Sequence, residues 1–216
     1  MKKTIFILAM CFLVQTPLFA DLINYYSQDA AGNTKTTLVA GAIVYDFDTP
    51  ATTPTFTSPN GAIVSGSVKN QYAAPFHVEN AAEDSTKYFT VPLNMSLTPK
   101  SSTITFGANY NYLGLFWGSI DSYNTIDFLF DDATVRSYTG SDVTSPNEAN
   151  GNQTAPSTNT YVNFFLDKKF NAIRVTSTNY AFEFDNLAVA VVPVPGAVLL
   201  GFLGLGYAGM RLRKMV

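Results

Sequence analysis

Apolar side chains at every second position constrain this chain more than any other feature. Phe89, Val91, Leu93, Met95 and Leu97 are separated by Thr90, Pro92, Asn94 and Ser96, the alternation of a strand with one buried and one wet face. Pro92 has no N–H to give to a ladder, so this run is expected at a sheet edge. The same period returns at Ile43, Tyr45 and Phe47, at Ile104 and Phe106, at Ile126, Phe128 and Phe130, at Ile173 and Val175, and at Tyr180, Phe182 and Phe184. Gly, Pro, Asn and Ser clusters punctuate the runs, above all TPATTPTFTSPNG (49 to 61) and TSPNEANGNQTAPSTN (144 to 159). No stretch between them carries a convincing helical period. No repeat of fixed length is visible either, which disfavours a solenoid or propeller. The expectation is an all-β fold, a two-sheet β-sandwich of jelly-roll type.

The two ends depart from this pattern. Lys2 and Lys3 precede an apolar run from Ile5 to Val14, and Ala20 stands before Asp21. A short basic start, an apolar stretch too brief to span a bilayer and a small residue at the cut predict a secretory signal peptide over residues 1 to 20. A lipoprotein signal around Cys11 is the weaker reading, because bulky Met10 precedes the cysteine. Cys11 is the only cysteine, so a domain cut after Ala20 has no disulfide and no thiolate metal site. Five of the 13 basic residues (Lys2, Lys3, Arg211, Arg213 and Lys214) lie in the ends, leaving 8 against 16 acids, a net charge of −8. Nucleic-acid affinity is built from basic contacts to phosphate, so this balance disfavours a nucleic-acid partner.

The C-terminus, VPVPGAVLLGFLGLGYAGMRLRKMV (192 to 216), is an apolar run entered through two prolines and closed by Arg211, Arg213 and Lys214. A helix from Ala197 to Met210 would be roughly 20 Å long, short of the roughly 30 Å hydrocarbon layer. Its glycines permit close contact with a membrane partner, and the basic end would stay on the cytoplasmic side. The pattern predicts a domain over residues 21 to 191, outside the cytoplasm, held by a short transmembrane helix. A permanent anchor and a temporary retention signal both satisfy it.

This three-part tail resembles the PEP-CTERM sorting signal of exported Gram-negative bacterial proteins, a family also labelled ice-binding protein C-terminal domain. Pro193 and Pro195, followed by Gly196, match its prolines; Arg211, Arg213 and Lys214 match its basic end; Val194 stands where the name-giving motif carries Glu. The segments TKYFTVP (86 to 92), YLGLFWGSIDSYNTIDFLF (112 to 130) and NTYVNFFLDKKFNAIRVTSTNYAFEFDNLAV (159 to 189) are similar to segments of secreted PEP-CTERM proteins. The resemblance implies recognition by an exosortase in the membrane. It implies cleavage near the prolines and release to the cell surface or to exopolysaccharide.

Catalytic constellations are sparse. His77 is the only histidine, which excludes a multi-histidine metal centre and, with no mature thiol, a Cys/His dyad. No G-x-S-x-G elbow surrounds a serine. A carboxylate pair could run glycoside hydrolysis, but nothing in the sequence marks one, so an enzyme is not the expectation. Trp117, Asp121, Tyr123 and Asn124 gather an aromatic, a carboxylate and an amide on a turn, the mix that stacks on and hydrogen-bonds a sugar. The competing expectation, that Trp117 packs in the core while Asp121 and Asn124 cap the turn, weighs more. Asp46, Asp48 and Asp185 are candidate calcium ligands if the first and last strands are neighbours; a solvated polar face is the alternative. Thr53, Thr55 and Thr57 share the spacing of an ice-contacting row, but Pro54 and Pro59 argue for a loop. The resulting expectation is a non-enzymatic exported protein of the envelope or extracellular polysaccharide. An exported polysaccharide hydrolase and a permanently anchored surface protein are the alternatives.

Overall fold

The computed structural model describes residues 22 to 24, 35 to 49, 54 to 57, 60 to 77, 80 to 144 and 148 to 192. The expected signal peptide, Thr53, and the tail residues Pro193, Val194, Pro195, Gly196, Arg211, Arg213 and Lys214 lie outside the described residues. Among the described residues, no helix is long and apolar enough to cross a membrane.

The chain is all-β. Its strands are β1 (Leu22–Asn24), β2 (Ile43–Tyr45), β3 (Thr55–Thr57), β4 (Ala62–Ser65), β5 (Phe76–His77), β6 (Ala82–Glu83), β7 (Lys87–Val91), β8 (Ser101–Gly118), β9 (Asn124–Phe130), β10 (Ala133–Thr139), β11 (Thr160–Ser177) and β12 (Phe182–Ala190). One short helix, α1 (Gly140–Val143), follows β10. Ten strands form one sheet in the order β10-β9-β11-β8-β12-β7-β4, with β1 on β11, β2 on β12 and β3 on β8; β5 and β6 form a separate hairpin.

Two long strands give this sheet its sandwich-like shape. β8 and β11 each run for 18 residues. They pair in register from Thr160↔Trp117 to Phe165↔Tyr112, break, and resume from Ala172↔Thr105 to Thr176↔Ser101. At the break, residues 107 to 109 and 167 to 169 are exposed, and each strand changes its other neighbour. β8 carries β12 beyond the break and β3 before it; β11 carries β1 before the break and β9 after it. The ten strands stay in one sheet across this break, and β5 and β6 form the second of the two sheets. Phe128 of β9 meets Phe164 and Phe170, from either side of the break in β11, in T-shaped contacts of 5.2 and 5.1 Å. Such ring pairs add about 0.5–1.5 kcal/mol each beyond area burial.

The run at 89 to 97 departs from expectation in three ways. β7 stops at Val91 and is internal, flanked by β12 and β4. Pro92 falls just after the last ladder pair, Val91↔Phe182, so its missing N–H costs no bond. Leu93 N–H then bonds to Asn60 O at 2.8 Å, and Leu97 is exposed. Both faces of β7 are covered, with Tyr88 and Thr90 as buried as Phe89 and Val91. The expected threonine loop is also corrected, because Thr55–Thr57 is a strand. Phe56 stacks on Phe89 at 4.8 Å and 5°, anchoring β3 through one half-buried ring while Thr55 and Thr57 stay exposed.

A strap of residues 66 to 77 and 80 to 86, containing β5 and β6, lies over the outer faces of β8 and β12. Pro75 packs on Gly118, where an added Cβ would meet Pro75 Cα at 2.8 Å. The His77 ring lies 5.5 Å from Phe116, and Tyr88 OH donates to Gly66 O at 2.7 Å. At the other end of β12, Asn111 pairs with the backbone of Val192, accepting from its N–H at 2.8 Å and donating to its C=O at 2.9 Å.

Candidate binding cleft

The connection from β8 to β9 is built by the residues singled out in the sequence, and two of them turn inwards. Trp117 is fully buried and stacks on Phe182 at 4.2 Å and 14°; strand alternation after Leu113 and Leu115 carries it into the core. Asn124 is also fully buried. Its Oδ1 accepts from Asp121 N–H at 2.9 Å, and its Nδ2 donates to Ser177 Oγ and Ala181 O at 2.9 and 3.1 Å. Neither side chain is available to a ligand. Burial of the indole and the turn-capping role of Asn124 follow the competing expectation for these two residues.

Asp121 and Tyr123, by contrast, line a cleft of about 520 Å³. One wall is the strap from Ser67 to Ala73, a second is Asn150, Gly151 and Gln153, and a third is Asn179, Tyr180 and Ala181, with Ser119 and Glu183 completing the lining. Local bonds fix each wall. Ile120 N–H donates to Thr158 O, Ser122 N–H to Ala149 O and Gly151 N–H to Ile120 O, at 2.9 to 3.0 Å. Gly151 has φ +65, and a Cβ there would run into both oxygens of the Asp121 carboxylate, so the wall can approach Asp121 only through glycine. Tyr123 OH donates to Tyr180 O at 2.8 Å.

Glu183 forms the floor. Phe182 and Phe184 point into the core, so alternation along β12 places Glu183 and Asp185 on the opposite face, beneath the strap. Glu183 is 1% exposed. Its Oε1 accepts from Ala73 N–H at 3.0 Å and its Oε2 from the Ser119 hydroxyl at 2.9 Å, joining the strap to the β8–β9 connection. Burial pushes its carboxyl up to about 8; the two hydrogen bonds oppose this and the charge of Asp121 adds to it. Asp121 is raised as well, by burial, against the hydrogen bond with Tyr123. Tyr123 is raised by its own burial and by Asp121. The cleft is thus polar, lined by amides, tyrosines and two carboxyls that hold protons more tightly than usual.

The three candidate calcium ligands do not form one group, although Asp48 and Asp185 interact. Asp46 caps a turn, accepting from Thr49 N–H and its hydroxyl at 3.1 and 3.3 Å. Asp48 accepts from Lys87 N–H at 3.0 Å. Between them Phe47, at φ 57, is buried in the core. Asp185 is buried, with Oδ1 unpartnered, and is pushed up to about 8 by burial and by Asp84 and Asp48. Among the described residues, no group of three or more His, Cys, Asp and Glu side chains is arranged to hold a metal ion. His77 Nε2 lies 3.2 Å from Asp84 Oδ2, off the line of a well-aligned hydrogen bond. Burial works to raise Asp84, but the close contact with His77 and the bonds with Thr86 outweigh it and bring the carboxyl down to about 2.

Sequence reasoning offered Asp121 and Tyr123 as binding residues, with turn capping by Asp121 the weightier alternative; it met Glu183 only in the stretch around the candidate calcium ligand Asp185, and it missed Ser119 and the strap. The signal for Glu183 was present as a lone acid between two phenylalanines in an apolar strand. Comparison with protein-family models, curated proteins and solved structures finds no match to this chain.

Proposed function

We propose that this is an exported, non-enzymatic protein of jelly-roll type whose cleft binds saccharide, acting at the cell envelope or in extracellular polysaccharide. The observation that supports the saccharide part is the convergence of Asp121, Tyr123, Tyr180 and the amides of Asn150, Gln153 and Asn179 on one cleft. Carboxylates and amides exchange hydrogen bonds with hydroxyls, and tyrosine rings cover the apolar faces of sugars. The destination rests on the two ends of the sequence and on the likeness to PEP-CTERM tails, with exosortase as the sorting partner. Wild-type full-length chain should be retarded in gels containing native exopolysaccharide, with and without calcium, and Tyr123→Ala should not. Equal migration of the two proteins in every polysaccharide would remove the saccharide reading. Intact mass separates sorting from anchoring: a released form ending between residues 193 and 197 supports sorting, and a membrane form running to Val216 supports the permanent anchor.

One observation favours a second reading, a polysaccharide hydrolase. Asp121 and Glu183 line the same cleft, and an acid held to about 8 is protonated at neutral pH, as a general acid must be. Release of new reducing ends from exopolysaccharide by the wild type, lost in Asp121→Asn, would establish it.

A further inference from the structure

We propose that the saccharide taken by this cleft carries a positively charged amine, as an unacetylated amino sugar does. This rests on the saccharide reading and narrows it to one charge class. The geometry behind it is a pair of carboxyls without a cation. Asp127 is paired with Arg174 and Asp167 with Arg136, yet neither Asp121 nor Glu183 has a cationic partner among the described residues. The groups facing Glu183 are Asp121 and Tyr123 from the β8–β9 connection, Tyr88 from β7, the Ser119 hydroxyl, and Ala73 N–H from the strap. None of these is basic. Lys69 is the one basic residue of the described lining and sits on the exposed part of the strap.

The interior of the cleft therefore holds two carboxyls and no cation, behind a rim that carries Lys69. A buried or half-buried carboxyl is costly to ionise alone, and an incoming ammonium removes much of that cost. The same interior opposes a uronic acid, whose carboxylate would meet Asp121. Tyrosine rings at 72, 123 and 180 add to the preference, because their faces attract cations. Asp121, at 9% exposure, is placed to touch the amine, while Glu183 beneath it is a neutral acid that a bound ammonium would help to ionise.

The test is calorimetric titration of the full-length chain at pH 6 with three oligosaccharides of equal length: glucosamine, its N-acetylated counterpart and galacturonate. We expect the glucosamine oligomer to bind at least about tenfold more tightly than the acetylated one, and galacturonate more weakly than both. Asp121→Asn should bring the first two within about twofold, with Trp117 fluorescence reporting that the domain is folded. Should that variant unfold, Lys69→Ala serves instead and should enlarge the preference. Equal affinity for the amine and its acetylated form, or tighter binding of galacturonate, overturns the charge assignment and leaves the saccharide reading standing. Binding of none of the three while native exopolysaccharide still retards the protein also overturns it. No interaction in either assay removes both.

Discussion

Replacing Glu183 by glutamine tests whether the floor of the cleft is held as a neutral acid. In the folded chain this carboxyl keeps its proton to about 8, against an ordinary 4.5. Between those values the folded state binds a proton that the unfolded chain has released. Stability is therefore fully present below 4.5 and falls as pH rises through the window, by about 1.4 kcal/mol per pH unit and at most about 5 kcal/mol in all. The glutamine of the E183Q protein copies the protonated acid, since its carbonyl can accept from Ala73 N–H and its amide can donate to Ser119 Oγ. The variant should match wild type at pH 5 and exceed it by several kcal/mol at pH 8. Some pH slope should persist in both proteins, because Asp185 is also pushed up to about 8. Urea unfolding at pH 5, 6, 7 and 8, followed by the single buried tryptophan, Trp117, measures the difference. Parallel pH profiles for the two proteins would refute the argument.

Further outcomes follow from single contacts. Gly151→Ala should cost about 1–2 kcal/mol through its positive φ and the carboxylate that the new methyl would strike; in denaturant titration a loss below about 0.3 kcal/mol would mean the wall shifts freely. Trp117→Ala should cost about 3–5 kcal/mol by removing a fully buried ring stacked on Phe182, read as a lower thermal midpoint by circular dichroism. Asp84 gives the opposite pH sign to Glu183. Its carboxyl is lowered from 3.8 to about 2, so it contributes stability above 3.8 that disappears as pH falls through 2. Asp84→Asn should lose about 2 kcal/mol at pH 6 and little near pH 2, and an equal loss at both would disprove the assignment.

Much of the architecture was legible because period two is a local property. The alternating residues at 43 to 45, 104 to 106, 126 to 130, 173 to 175 and 182 to 184 lie in strands, whereas Phe47 and Tyr180, the outer members of their runs, fall just outside. Alternation failed where tertiary structure covers both faces. From Tyr110 to Gly118 every residue is buried, since the core lies on one side and the strap and neighbouring rings on the other. Gly114 illustrates this: a Cβ there would collide with the hydroxyls of Tyr112 and Tyr161. The strand at Thr55–Thr57 was hidden by its flanking prolines, since its reason to exist is Phe56 finding Phe89, distant in sequence.

The cleft divides along the same line. That Asp121 and Tyr123 stand on a connection between strands follows from the residues around them, because turn chemistry is written over four or five positions. Which of four neighbouring side chains faces solvent was decided by the fold: Trp117 found Phe182, and Asn124 found Ser177 and Ala181 more than 50 residues away. The acid at position 183 is in the sequence, but its raised proton affinity is not. Affinity for a proton depends on how much water the surrounding chain removes, and that is set by a strap more than 100 residues earlier closing over β12 through Ala73.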